Sequence, residues 1–132
     1  MGRFLYEKLN FGVEVMLKKA ARGRIPKAVF DQYRGPMRDP AARTAAWLMA
    51  RELIGSSDWY DSLIQAKARI EDKPALVLWG LDDFAFPRKI LQNWSLMLRK
   101  AEIHSFSDAG HMVLEDKGEG LCPLVGKFLA PA

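Results

Sequence analysis

The sequence is poor in cysteine and histidine, and it has no long apolar run. A single cysteine, Cys122, stands among 132 residues, so an intramolecular disulfide and every metal pattern built on several cysteines are excluded. A reducing compartment is therefore the expectation, with the cytoplasm as the default. The apolar runs fall far short of a bilayer span, and Met1-Gly2-Arg3-Phe4 leads to Glu7 and Lys8 rather than to the apolar core of a signal peptide. No membrane partner is expected. Internal repeats, low-complexity segments and linkers longer than a turn are also missing, and no residue pattern calls for a metal or other cofactor.

What is present fits one globular domain with a modest core, since 49% of the residues are hydrophobic. The formal charge of +4 is unevenly spread. Residues 1–70 carry 13 Lys and Arg against 7 Asp and Glu, whereas residues 71–132 carry 7 against 9. A basic half can signal nucleic acid. Here the cations are dispersed along helical patterns and interleaved with acids, and the one dense cluster, Lys18 to Arg24, sits where a helix C-terminus favours positive charge. The expectation is therefore solvated helix faces and no nucleic-acid partner.

The first half reads as helices. Leu5, Leu9, Val13, Met16 and Ala20 recur at helical spacing from Arg3 to Ala21, interrupted by Gly12. Pro26 suits the first turn of a short helix through Val29, Phe30 and Tyr33, which Gly35-Pro36 ends. Asp39-Pro40 is a cap followed by proline at the first helical position, and it opens a helix running to Gly55. Ser56-Ser57-Asp58 caps a fourth helix, from Trp59 to Ile70, with Leu63, Ile64 and Ala66 or Ala68 expected inward.

At Lys73-Pro74 the period changes. Pro74-Ala75-Leu76-Val77-Leu78-Trp79-Gly80 is a short apolar run closed by glycine, the pattern of a buried parallel strand. A loop holding Asp82 and Asp83 comes next, then a helix opened by Pro87 with Ile90, Leu91, Trp94, Met97 and Leu98 on one face. A second strand pattern runs from Ala101 to Phe106 and leads into Ser107-Asp108-Ala109-Gly110-His111. This is a βαβ unit with right-handed crossover. Beyond it, Gly118, Gly120 and Pro123 break a helical pattern, leaving Pro123 to Leu129 as its secure part.

Both loops leave the carboxyl edge of the sheet, where open α/β sheets place their chemistry. A carboxylate there can accept from one imidazole nitrogen and leave the other to take a proton from water or a nucleophile. His111, in turn-forming sequence after a strand, is the better placed histidine; His104 lies inside the second strand pattern and reads as structural. Asp83 and Asp82 compete for the acid role, and either can also serve as a turn or helix-capping aspartate.

Pro-x-Leu-Val-Leu-Trp-Gly-x-x-Asp, from Pro74 to Asp83, and Asp108-Ala109-Gly110-His111 with Leu114-Glu115-Asp116 resemble the C-terminal portion of an α/β-hydrolase. The helical half, with Trp47-Leu48-Met49-Ala50-Arg51-Glu52-Leu53-Ile54, resembles the cap of the haloalkane dehalogenase and epoxide hydrolase branch, apart from Ala50, where that branch has proline. The resemblance implies a partial α/β-hydrolase fold. Residues 1–70 would be a helical cap-like segment, and residues 71–132 the last two parallel core strands with their crossover and C-terminal helices. It also implies Asp83 as the acid, His111 as the base, and Trp47, Phe84 and Phe86 as pocket-lining candidates. The substrate would be a small apolar electrophile, cleaved through a covalent ester that water then opens.

The family's nucleophile, an Asp or a Ser, sits at a Gly-x-[Ser/Asp]-x-Gly elbow, and no such pattern occurs in this sequence. Gly55-Ser56-Ser57-Asp58 lacks the second glycine and a preceding strand, and Cys122 shows no sign of being a substitute. The expectation is a hydrolase portion inactive alone. Its sheet edge would favour self-association or pairing with a missing N-terminal portion. The alternatives are a non-catalytic interaction protein derived from a hydrolase and a portion of a Ser-type esterase.

Overall fold

The computed structural model describes residues 2–22 and 24–130. They divide into two compact units, Met1–Ile64 and Gln65–Ala132.

In the first unit, α1 (Gly2–Glu7) is followed by a π-helical stretch, Gly12–Leu17, that runs into α2 (Lys18–Ala20). The apolar periodicity predicts one helix here, but the chain breaks between Glu7 and Gly12. The cause is Asn10, whose φ of 49° lies in the left-handed region, a conformation that asparagine tolerates and that ends a right-handed helix. Next come α3 (Lys27–Arg34), α4 (Pro40–Gly55) and α5 (Ser57–Gln65). The Asp39 carboxylate accepts from the Ala41 N–H at 2.9 Å, so the expected cap of α4 is present.

Helix α4 packs along α1, and polar bonds fix the pairing. Arg43 Nε donates to the Glu7 carbonyl at 2.8 Å, and the Thr44 hydroxyl lies 2.9 Å from Glu7 Oε1. Trp47 packs against Tyr6, with ring centroids 5.8 Å apart. Buried apolar side chains are few: Val13, Ala20 and Ala21 in this unit. Leu63, Ile64, Ala66 and Ala68 are exposed, contrary to the inward face expected of the fourth helix. That helix also starts at Ser57 and gives way to a 3-10 turn over Ala66–Arg69.

The second unit holds strands β1 (Ala75–Gly80) and β2 (Ala101–Phe106), paired in parallel from Ala75↔Ala101 to Gly80↔Phe106. Helix α6 (Arg88–Met97) forms the crossover, with Ile90, Leu91 and Met97 half-buried and Trp94 on the exposed side. The chain then forms α7 (Val113–Lys117), a 3-10 turn over Gly118–Leu121, and α8 (Cys122–Leu129). Helix α8 opens with proline in its first turn, and Gly118 takes a φ of 47°, separating α7 from the 3-10 turn and α8. Arg99 ties the approach to β2 to the approach to β1, pairing with Glu71 and Asp72 while its N–H donates to the Glu71 carbonyl.

Gly80 is the tightest point of this unit. A Cβ there would lie 2.1 Å from the Gly110 carbonyl oxygen and 2.6 Å from that of Ala109. No rotamer change relieves a clash with backbone. Gly80→Ala should therefore force the strand and the Ala109–Gly110 loop apart at a cost of about 1–3 kcal/mol or more, read as a lowered denaturation midpoint; an unchanged midpoint would contradict the packing described.

A pH effect belongs to the first unit. The Arg3 guanidinium beside Glu7, and then the Thr44 hydroxyl, hold the Glu7 carboxyl below its ordinary range. A carboxylate with a folded pKa below its unfolded one stabilises fully above the unfolded value, and the contribution is lost as pH falls through the folded value. Glu7→Gln should thus lower stability at neutral pH and approach wild type in strong acid, as measured by denaturant titration at both.

Candidate active site

The last rung of the sheet, Gly80↔Phe106, sets where both loops begin. The Leu81 N–H donates to the Phe106 carbonyl at 2.9 Å, and the Asp82 N–H donates to the Ala109 carbonyl at 3.0 Å. The two loops are thereby joined backbone to backbone beyond the strands. Three residues past Gly80 comes Asp83, and five past Phe106 comes His111.

The two side chains meet. His111 Nδ1 lies 3.0 Å from Asp83 Oδ2 and 3.2 Å from Oδ1. A carboxylate only accepts, so Nδ1 carries the hydrogen, and in the neutral ring Nε2 keeps its lone pair. Asp83 is further anchored by its own loop, because Oδ1 accepts from the N–H groups of Ala85 at 2.7 Å and Phe86 at 3.0 Å. These bonds form a turn in which the aspartate caps the residues after it. The Asp83 side chain is 8% exposed and that of His111 36%. A covered acid thus holds an imidazole that solvent reaches.

Phe84 and Phe86 flank the imidazole, with ring centroids 5.9 and 5.4 Å from that of His111. Phe86 also packs against Trp79, 6.5 Å away, whose indole N–H is buried without an acceptor among the described residues. Trp47, the other pocket candidate, belongs to the unit Met1–Ile64, where it packs on Tyr6. It is Asp83 whose carboxylate bonds the His111 ring. His104 on β2 pairs instead with Glu102, Nε2 to Oε1, at 2.7 Å. The geometry therefore joins Asp83 and His111, while His104 is engaged with Glu102.

Asp116 is a contributor that the spacing of strands and loops did not single out. Its Oδ2 accepts from the Gly110 N–H at 2.7 Å, fixing the Ala109–Gly110 peptide of the histidine loop from α7. The adjoining Lys117 pairs with Asp108 and lies over the Phe106 ring at 5.5 Å. Its sequence signals are its place in Leu114-Glu115-Asp116, within the stretch that carries the family resemblance, and a carboxylate six residues after a loop glycine at the start of a helix. Among the described residues no group of three His, Cys, Asp or Glu side chains is placed to hold a metal ion. None of their helices is long and apolar enough to cross a membrane.

Two parallel strands joined by a crossover helix, with an acid after the first and a histidine after the second, form part of the α/β-hydrolase fold. It is the C-terminal portion of such a hydrolase that the chain resembles. The chain is 33% identical over 111 residues to cis-3-alkyl-4-alkyloxetan-2-one decarboxylase of Xanthomonas campestris pv. campestris, a match covering 80% of the chain and 37% of that protein. It is 28% identical over 109 residues to haloalkane dehalogenase 2 of Mycobacterium tuberculosis, covering 81% of the chain and 38% of the relative. A shorter stretch of 56 residues is 36% identical to the oxetanone decarboxylase of Shewanella oneidensis. The chain thus spans a little over a third of the first of these relatives. No family model matches it.

Replacing Asp116 by alanine would leave the part-buried Gly110 N–H without its acceptor, a loss of about 1–3 kcal/mol. Asp116→Ala should lower the denaturation midpoint and broaden the His111 ring signals in NMR spectra, whereas Asp116→Asn, which keeps an acceptor oxygen, should largely restore both.

Proposed function

We propose that His111 and Asp83 are the base and the acid of a dehalogenase-like hydrolase, and that the substrate is a small apolar electrophile. The observation that carries this reading is the Asp83–His111 bond, in which a covered, doubly anchored carboxylate orients an exposed imidazole. A nucleophile first displaces the leaving group and becomes an ester. His111 Nε2 then takes a proton from water, the water oxygen adds to the ester carbonyl, the C–O bond of the ester breaks, and the imidazolium returns the proton to the departing alkoxide. Asp83 holds the ring and stabilises the imidazolium formed in that step. Phe84 and Phe86 supply apolar surface beside the base. The two kinds of relative are named for haloalkanes and alkyl-substituted oxetanones, and both are apolar electrophiles of the class proposed. No cofactor is required by these steps.

On this reading residues 1–70 are the cap and residues 71–132 belong to the core, and the nucleophile, an Asp or a Ser, lies on an elbow that these 132 residues do not contain. The chain alone is then inactive, and it completes its site by pairing with an N-terminal portion or associates with itself. Exposed apolar side chains support such pairing: Ile103 on β2, and Ile54 at 83% exposure on α4. The cytoplasm is the proposed location, in keeping with the single cysteine. The missing elbow also favours a second reading, a non-catalytic interaction protein in which the Asp83–His111 pair is idle.

A chimera decides between them. The matching segment of a haloalkane dehalogenase, which supplies strands and nucleophile, is replaced by this chain and assayed with a chloroalkane and an alkyl oxetanone. Turnover is expected, reduced about 10²–10⁴-fold in His111→Ala, with the covalent ester accumulating by mass spectrometry when the nucleophile is Asp. A folded chimera without turnover, or turnover indifferent to His111→Ala, would establish the non-catalytic reading.

A further inference from the structure

The unit Met1–Ile64 contains two cavities that share Asn10, Met37 and Arg43. One, of about 470 Å³, has Lys8, Arg34, Arg38 and Arg43 on its walls against a single carboxylate, Glu14. The other, of about 260 Å³, is lined largely by apolar and aromatic groups, among them Tyr6, Val13, Leu17 and Tyr33. A cationic hollow open to solvent thus lies beside a smaller apolar one, and Arg43 lines both.

The charges are not equally engaged. Glu14 is occupied by Arg34 at 2.8 Å and by Lys18 at 3.3 Å, so it offers little compensation to the other cations. Lys8 and Arg38 have no carboxylate within ion-pair distance among the described residues. Arg43 is held by three backbone carbonyls: Nε donates to that of Glu7 at 2.8 Å, and Nη1 to those of Met37 and Arg38, each at 3.1 Å. These bonds use three of its five hydrogens and fix the plane of the guanidinium. The two on Nη2 have no protein acceptor among the described residues. A rigid, part-buried guanidinium with two open donors is ready to receive an anionic oxygen, at little cost in side-chain ordering.

The backbone around the cavities is also irregular. Asn10 has a φ of 49°, and the π-helical stretch Gly12–Leu17 widens the helix beside it. Backbone in sparsely populated conformations and π-helical turns both concentrate at ligand sites. Asn10 lies on both cavities, and Gly12, Val13 and Leu17 line the apolar one.

We propose that these adjoining cavities bind an amphiphilic carboxylate, its head group at Arg43, Arg38 and Lys8 and its alkyl chain in the apolar chamber. The inference does not depend on the hydrolase reading, since it uses no residue of the Asp83–His111 pair. The head provides charge-assisted bonds to the fixed guanidinium, and the tail removes apolar wall from water. A pocket of mainly apolar surface with a few polar groups at one end is the ordinary form of a small-molecule site.

The test is calorimetric titration of the full chain, in whatever oligomeric state it adopts, with octanoate, 1-octanol and acetate. Saturable octanoate binding is expected, at least tenfold tighter than either of the other two and weakened by added salt. The double variant Lys8→Glu/Arg38→Glu should bind octanoate at least tenfold more weakly with an unchanged circular dichroism spectrum; if it loses helix, Lys8→Gln/Arg38→Gln should show the same direction. Absence of octanoate binding overturns the proposal. Octanol binding equal to octanoate, or variants that bind octanoate as well as the parent, would do so too, because the head-group contact would then contribute nothing.

Discussion

At Gly80 the Ala109–Gly110 backbone leaves room for a hydrogen and nothing larger. That contact sits at the carboxyl end of β1, where the two post-strand loops separate from the sheet. The hydrogen bond from Asp82 to Ala109 depends on it, because it requires the second loop to lie directly against the first. Beyond that bond Asp83 meets His111. A single side-chain restriction in a six-residue strand therefore bears on the pairing of Asp83 with His111 in the loops beyond it.

Much of the second unit was legible in the residues. The apolar run to Gly80, the helical spacing from Ile90 to Met97 and the run from Ala101 to Phe106 each have one dominant period, and periodicity reports burial directly. The preference for Asp83 over Asp82 came from family likeness; the structure supplies its physical form in the amides of Ala85 and Phe86. The first unit was less legible. Asn10 breaks an apolar stripe that continues through it, and a left-handed residue leaves no trace in hydrophobic spacing. Leu63 and Ile64 suit an inward face, yet they are exposed, because a stripe shows which side of a helix is apolar without showing what covers it. Asp116 was hidden for a different reason: its partner is a main-chain N–H, and main-chain donors have no identity in a sequence.

The likeness to an oxetanone decarboxylase and to a dehalogenase concerns relatives with different named substrates. On the reading proposed above, the sheet edge would supply the proton-handling pair and other surfaces would select the substrate. Phe84 and Phe86 are the apolar surface nearest His111 in this chain, and they are carried by the same loop as Asp83. Acid placement and apolar lining are therefore linked through the two amides that cap Asp83.

The in-register ladder, six rungs from Ala75↔Ala101 to Gly80↔Phe106, works as a ruler for evolutionary change. Distances to the acid and to the histidine are counted from its last rung, over short loops bonded to each other, so an inserted or deleted residue there would put one partner out of reach. The crossover carries no such count. Between Pro87 and the start of β2 the chain only has to return to the head of the sheet, so length variation among descendants of this sequence belongs in α6 and its C-terminal connection, and the two loops should keep their spacing even where their residues drift.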